Sequence, residues 1–309
     1  EKESYRWLKC LQEADEYAEL LPNTQFISIA DREGDIYELY QHVARNKGAA
    51  NKAHYLIRAQ YNRKTSGNEA KKIKDLLLAE SPLGEIQIKV SDTKKNKPRL
   101  AKLFVYASQM KLGYPDKYQK NNDADIFPKV SAIYCIEPNP PKGEAGIEWL
   151  LLTDLDVNTY AQAYEKIQWY CCRWQIEIFF KVMKSGCKIE KLQLTDKNFS
   201  VCLAFYLIIS WRILFLSKLG RLHPDVSCEL VFNRREWQTA YVVYYKKKPP
   251  SQPPSLKSMT RLVAALGGFS NRNTDPDPGV KTIWTGMRAM QEHIKARDAL
   301  ELAYGNTYG

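Results

Sequence analysis

The sequence predicts an α/β fold with a helical C-terminal region, and three observations carry that reading. A helical pattern over Ser4 to Leu21 leads into a short apolar run, Phe26-Ile-Ser-Ile-Ala30, that stops on Asp31. From about residue 61 to 148 apolar and polar residues alternate with the period of two that a half-buried strand requires. After residue 246 the pattern turns helical, punctuated by proline and glycine. With 309 residues and 44% hydrophobic composition, the chain can bury a sizeable core.

The elements follow in order. Phe26, Ser28 and Ala30 alternate with Ile27 and Ile29, the period and length of a central strand. Asp31 then sits at a strand's carboxyl end, where α/β folds present functional groups, although a turn aspartate reads the same way. A helix from Asp35 to Arg45 precedes a second strand, His54 to Gln60, which carries Arg58. Ile86, Ile88 and Val90, then Leu103 and Val105, then Val130 to Ile136 mark strands of a β-rich segment, read as a subdomain inserted between Asp31 and Glu177. Trp149 to Thr153 is a buried strand, and Asn158 or Thr159 caps the long helix that carries Glu177. The apolar run Val201 to Leu216 is broken by Ser210 and Arg212 and is shorter than the roughly 20 residues a bilayer span needs, so it reads as a buried helix. The stretch Lys246-Lys-Lys-Pro-Pro-Ser-Gln-Pro-Pro254 is an exposed extended connector. Leu256 to Leu266 forms a helix stopped by Gly267-Gly268, and Val280 to Ala303 forms another.

Bulk charge narrows the partner. Lys and Arg number 46 against 35 Asp and Glu, a net charge of +11 and a pI near 9.1, which favours a polyanion such as nucleic acid. An acidic membrane surface competes, but neither end carries a basic amphipathic helix with a bulky apolar face. Seven cysteines without framework spacing, Cys171 and Cys172 adjacent, read as thiols of a reducing cytoplasm. The absence of CxxC and the scatter of His42, His54, His223 and His293 argue against a zinc site. The chain starts on Glu1 rather than Met and reads as a piece of a longer protein.

Most of the chemistry gathers in one run. Tyr170, Arg173, Glu177, Lys181 and Lys184 stand at offsets of 0, 3, 7, 11 and 14. On one continuous helix at about 100° per residue they fall within roughly 80° of one another, a stripe suited to phosphate. Ile176, Phe179 and Met183 lie on the far side, available for packing from behind. A solvated helix with ordinary charge pairs is the plain alternative. Against it, Trp174 borders the stripe, and three cations surround a single glutamate. Lys94, Lys95, Lys97, Arg99 and Lys102 form a further cation cluster, either a solvated turn or a phosphate-tracking arm. A strand-end aspartate and a helix-borne glutamate beside cations fit divalent-metal phosphoryl transfer, because Mg²⁺ takes carboxylate oxygens and keeps waters.

The spacing Tyr170-x2-Arg173-x3-Glu177-x6-Lys184 resembles the Tyr-Arg-Glu-Lys signature of the DDE cut-and-paste transposases of the bacterial insertion-sequence-four group, especially the transposon-five-like ones. Flanking segments extend the resemblance over nearly the whole chain: Asp31-Arg-Glu-Gly-Asp-Ile-Tyr37, Leu56-Ile-Arg58, Glu137-Pro-Asn-Pro-Pro-Lys-Gly-Glu144, Trp149-Leu-Leu-Leu-Thr153, Arg173-Trp-Gln-Ile-Glu177 and Leu266-Gly-Gly-Phe269. It implies an RNase H-like catalytic core in two parts, residues 1–60 and 149–245, around a β-rich insertion at 61–148. A Pro-rich linker at 246–254 and a helical dimerisation region at 255–309 follow.

The resemblance also implies roles. Asp31 and Glu177 match catalytic carboxylates that hold Mg²⁺, with Mn²⁺ as a substitute. Arg58, Tyr170, Arg173, Lys181 and Lys184 match groups that grip transposon-end phosphates. Trp149 and Trp174 match tryptophans that meet a flipped base during hairpin formation, a stacking role worth roughly 1 to 3 kcal/mol per base. For Trp149, on an apolar strand, core packing is the alternative. The implied partners are double-stranded transposon-end DNA and a second copy of the chain, in the bacterial cytoplasm.

One departure stands out. The family's first catalytic aspartate lies on a strand upstream of the helix that Ser4 to Leu21 resembles, and nothing here corresponds to it, to the two strands after it, or to an end-recognition domain. The expectation is therefore the C-terminal portion of a transposase, inactive alone. A DNA-binding or dimerising regulator of an intact transposase is the alternative, and a host nuclease of the same fold class a third reading.

Overall fold

A computed structural model describes residues 3–46, 48, 51–67, 70–90, 98–115, 126–186, 189, 196–272 and 274–305. The chain divides into two compact units, Glu1–Arg173 and Trp174–Gly309.

The first unit holds α1 (Tyr5–Leu20), β1 (Ile27–Ala30), α2 (Tyr37–Arg45), β2 (His54–Arg58), α3 (Ile73–Leu78), β3 (Gly84–Val90), β4 (Arg99–Lys111), β5 (Lys129–Ile136), β6 (Glu148–Thr153) and α4 (Tyr160–Cys172). Among the described residues, its six strands make one mixed sheet in the order β1-β2-β6-β5-β4-β3. Only β1 and β2 run parallel, with Ala30 opposite Ile57. The other neighbours are antiparallel, Arg58 facing Leu151 and Ser131 facing Thr153. Strands β3 to β5, from the segment 61–148, thus extend the sheet that leads to Asp31, because β6 pairs with β2 on one edge and β5 on the other.

Strand β1 departs from its expected central position: among the described residues it forms an edge of the sheet. Its alternation reports burial on two faces, which helices covering an edge strand also provide. Ala30 belongs to one core, and Ile27 and Ile29 pack against the other.

Period-two alternation feeds those two cores. Tyr55, Ile57, Ala132, Tyr134, Leu150 and Leu152 point to the side where Leu11 of α1, Leu39 and Tyr40 of α2, and Ile73 and Leu77 of α3 pack. Leu56, Ile133, Cys135, Leu151, Leu103 and Val105 point to the other, against Ala163, Ile167 and Tyr170 of α4. Thr159 caps α4 in a capping box with Gln162. Gly84 opens β3 where a Cβ would lie 2.6 Å from the Tyr160 ring, so any larger residue must displace that ring.

The second unit is helical: α5 (Trp174–Lys181), a π-helical turn at Val182–Gly186, α6 (Asp196–Leu222), α7 (Arg234–Tyr245), α8 (Leu256–Leu266) and α9 (Val280–Tyr304). Ile213, Leu216, Phe232, Trp237, Met259, Val263, Ile283 and Met290 form its core. Residues on both sides of 246–254 enter that core, Trp237 from α7 and Leu256 from α8. Helix α9 meets α8 and its C-cap at glycines: a Cβ on Gly286 would collide with the Val263 carbonyl, and one on Gly267, just after α8, with the Thr282 carbonyl.

Helix α6 corrects the expectation of a buried helix. Ile213, Leu216 and Ser217 are buried, but Val201, Phe205, Ile208 and Trp211 are each more than half exposed. Apolar residues surround the whole helix while the core takes one side. By length and composition alone, Asn198–Leu222 is long and apolar enough to cross a membrane, with a mean hydropathy of 2.1.

Candidate active site at a strand end

Strand β1 ends on Asp31, and the backbone turns there at once. A single 3₁₀ turn, Arg32–Gly34, follows, with Asp31 as its cap: Glu33 N–H donates to Asp31 Oδ1 at 3.0 Å. Gly34 is buried, and a Cβ there would lie 2.5 Å from the Ala30 Cβ, so glycine permits the tightness of the turn. One carboxylate oxygen of Asp31 is thereby committed to the backbone, and Oδ2 faces Arg173, whose Nη1 lies 3.9 Å away. The carboxylate keeps 40% of its exposure.

Asp31, Arg32, Glu33, Arg58, Tyr170 and Arg173 line a cavity of about 250 Å³. Arg58 closes β2, and its Nη2 donates to the Glu148 carbonyl at 3.1 Å. Burial alone would raise Glu148, but hydrogen bonds from Lys74 and Tyr134 outweigh it and hold the carboxyl below the usual range. Glu33 is engaged by Arg6. Three arginines and two acids, Glu33 and the partly exposed Asp31, therefore line a common space, an arrangement that can attract a phosphate and leaves an Asp31 oxygen for a hard cation.

Tyr170 lies differently from the phosphate-gripping stripe. Its side chain is buried in the core beneath the sheet, edge-on to Trp149 at 5.9 Å, and Arg173 stacks over its ring at 5.8 Å. Trp149 is partly buried in the same core, opposite Cys135.

The expected single helix from Thr159 through Lys184 is interrupted: α4 ends at Cys172, Arg173 is a turn residue, and α5 gives way at Val182 to a π-helical turn. A π turn advances less per residue than an α turn, so the uniform 100° projection does not carry through to Lys184. Trp174, Glu177, Lys181 and Lys184 are all exposed, and no residue of α5 is buried. Packing behind α5 is likewise weaker than expected: Met183 is buried, Phe179 is partly buried, and Ile176 is exposed.

Two residues that shape this region escaped the sequence. Arg32 lines the cavity from the position next to Asp31, its signal being only adjacency to a strand-end acid. Asp35 carries no exposed surface on its side chain and accepts from the Tyr40 hydroxyl (2.8 Å), Gln60 N (2.7 Å), Tyr61 N (3.0 Å) and Arg63 Nε (3.0 Å) and Nη2 (2.6 Å). It pins the turn after Asp31 to the chain leaving β2. Nothing local announces it, since Arg63 lies 28 residues away.

The cation cluster is only partly visible. Lys94, Lys95 and Lys97 lie outside the described residues. Arg99 is paired with Glu137 and Glu144, and Lys102 with Glu85 at 2.7 Å, so these two are neutralised within the fold. Among the described residues no three His, Cys, Asp or Glu side chains gather as a metal-binding group. The six cysteines described are all free.

A sheet that ends on an acid, with arginines lining the space beside it and helices covering both faces, defines an RNase H-like α/β domain. A family model described as the transposase DDE domain matches residues 39–213, and one described as the transposase Tn5 dimerisation domain matches residues 208–306. The first covers more than half of the chain, which belongs to the DDE transposase family and is Tn5-like. That match takes in Arg58, Trp149, Tyr170, Arg173, Trp174, Glu177, Lys181 and Lys184 and begins eight residues after Asp31. The dimerisation match begins within α6, upstream of residues 246–254. The protein is thus a transposase whose family acts on DNA, dimerises through such a domain and generally uses divalent metal ions.

Proposed function

We propose that the chain serves metal-dependent cleavage and strand transfer at transposon ends through a hairpin intermediate, with Asp31 and Glu177 as metal-holding catalytic carboxylates. The observation that carries the reading is the strand-end cavity, where Asp31 keeps one oxygen outside its backbone cap beside Arg173, with Arg32 and Arg58 lining the same space. Glu177 follows Arg173 by four residues, so chain reach alone keeps their Cα atoms within about 14 Å.

Asp31 and Glu177 would hold Mg²⁺, or Mn²⁺ in its place, through hard carboxylate oxygens. When bound, the ion polarises the phosphoryl oxygen and lowers the pKa of its water. Arg58 and Arg173 hold the strand's phosphates as fixed guanidinium donors, Arg173 kept in line by the ring beneath it. Lys181 and Lys184 add exposed charge along the same strand. Trp174, 55% exposed, offers a face to an extruded base. Trp149 and Tyr170, packed edge to ring, support that strand-end wall from below.

The domain assignment remains part of the proposal: a core from 1–60 and 149–245, an insertion at 61–148, a linker at 246–254 and a dimerisation region at 255–309. So do transposon-end DNA as substrate, a homodimer on it, and a cytoplasmic, nucleoid-bound location.

The matched motifs supply two carboxylates where the family's site holds three, and on that count a second reading follows: a fragment that binds DNA or an intact transposase and dampens it. One experiment separates them. The chain is incubated with a duplex bearing the element's ends in Mg²⁺, alone and extended by a segment carrying a first catalytic aspartate. Cleavage only by the extended chain, lost in Glu177→Gln and Asp31→Asn while DNA binding persists, supports the transposase site. Undiminished cleavage by either variant overturns the assignment of that carboxylate.

A further inference from the structure

The C-terminal end of α7 carries a basic, aromatic surface that none of the roles above uses. Tyr241, Tyr244 and Tyr245 make one ring cluster: Tyr241 and Tyr245 stand 4.6 Å apart, and Tyr244 meets Tyr245 edge-on at 4.8 Å and 88°. Lys246 closes the helix in the left-handed conformation, φ 56°, its N–H donating to the Val242 carbonyl. Lys247 and Lys248 follow, and all three lysines are exposed. Pro249, Pro250, Pro253 and Pro254 then keep the chain from continuing as a helix. Asn271 reaches the Tyr244 hydroxyl at 3.5 Å, which brings the exposed Arg272 to the same ledge. The acid beside it, Asp275, accepts from the Arg272 backbone N–H at 2.8 Å.

Among the described residues, no ion pair of this unit takes in Lys246, Lys247 or Lys248. Glu236 pairs with Arg212, Asp277 with Arg221, Asp298 and Glu301 with Arg235, and Glu292 with Lys295. A cation at a helix C-terminus complements the helix dipole, which accounts for Lys246. It does not account for two further lysines held outward on a proline-stiffened arm beside three tyrosines. The Tyr245 ring is contacted by both of its neighbours, so the cluster is poorly disposed to take a stacked base. It offers hydroxyl donors and ammonium groups instead, the chemistry that meets phosphate oxygens.

We propose that this surface, Tyr244, Tyr245, Lys247, Lys248 and Arg272, is a second DNA contact that grips the phosphate backbone of a duplex without reading its sequence. It shares no residue with the strand-end site and stands or falls independently of it.

The test is fluorescence anisotropy of the full chain with two short duplexes, one bearing the element's end and one unrelated, over a salt series. Lys246 is left intact because it closes the helix. K247A/K248A lowers the slope of log affinity against log salt by about one per lysine and weakens both duplexes equally. K247R/K248R restores the slope, and an unchanged thermal midpoint shows that the fold is intact. An unchanged slope overturns the proposal. So does a loss confined to the end-bearing duplex, or weakened binding to anionic phospholipid vesicles with DNA binding untouched.

Discussion

Arg173 Nη1 stands 3.9 Å from Asp31 Oδ2, while the guanidinium lies over the Tyr170 ring at 5.8 Å. The contact is too long for a hydrogen bond, so the carboxylate and the guanidinium are neighbours that a phosphate and a cation can bridge. Arg173→Ala should weaken binding to end DNA by about tenfold and lower the salt slope by about one, as expected for one lost phosphate contact. Arg173→Lys should recover little of this, because an ammonium neither forks around a phosphate nor stacks on Tyr170. Anisotropy titrations across a salt series check both, and full rescue by lysine would reduce Arg173 to a simple point charge.

Asp35 gives the strongest stability prediction. Its side chain is fully buried and meets Arg63 through both Nε and Nη2. Asp35→Ala leaves Arg63, whose side chain is only 10% exposed, without its carboxylate partner and with only the Asp35 carbonyl. The expected loss is about 3 to 5 kcal/mol, the range for stripping one member from a buried ion pair. Urea denaturation followed by circular dichroism measures it, and a loss below about 1 kcal/mol would mean that the turn after Asp31 is held by other contacts.

These two residues mark the limits of what the sequence discloses. Asp31 is visible because a strand pattern ends on it, and Thr159 because a cap precedes a helix with Gln162 at the right spacing. The stop after Leu266 is visible in Gly267-Gly268, the second of which has φ +92°. Each of these signals is local. Asp35 is invisible because all its partners but Tyr40 lie 25 to 28 residues away. The turn at Arg173 and the π turn after Lys181 are equally hidden, since the run from Tyr170 to Lys184 contains neither proline nor glycine to announce a break. Hydropathy reports that α6 is apolar but not that its core covers only the Ile213 and Leu216 side. The alternation in β3 to β5 gives strands but cannot say that they continue the sheet of β1.

Helix α9 crosses α8 at Gly286, where a Cβ would meet the Val263 carbonyl and the backbone of Gly267. Neither obstacle is the tip of a flexible side chain, so Gly286→Ala must push the helices apart. A loss of about 1 to 3 kcal/mol is expected from such overpacking, and the core methionines Met287 and Met290 on the same helix should loosen with it. Since the matched dimerisation domain spans this crossing, dimer affinity should fall as well. Sedimentation velocity and thermal unfolding on the same variant check the two effects, and an unchanged melting point would show that the crossing yields without cost.

His54 sets a pH dependence of stability. Its Nδ1 lies 2.6 Å from Asp154 Oδ2, and Asp154 Oδ1 accepts the Tyr55 N–H at 3.0 Å, so the pair ties the start of β2 to the end of β6. The hydrogen bond to Asp154 raises His54 above its ordinary value, against burial and the positive charge of Lys166, with further help from Asp154 and Asp15. A histidine whose folded pKa exceeds its unfolded one contributes all its stability below the unfolded pKa, about 6.5, and loses it as pH rises through the folded pKa. The first unit should therefore become less stable as pH climbs above the ordinary histidine value of about 6.5 and the imidazolium gives up its proton. His54→Gln should flatten that slope while lowering stability at the acid end. Chemical denaturation midpoints measured at several pH values for both proteins decide it, and a wild-type midpoint that rises over this range would show that groups other than the His54–Asp154 pair govern the titration.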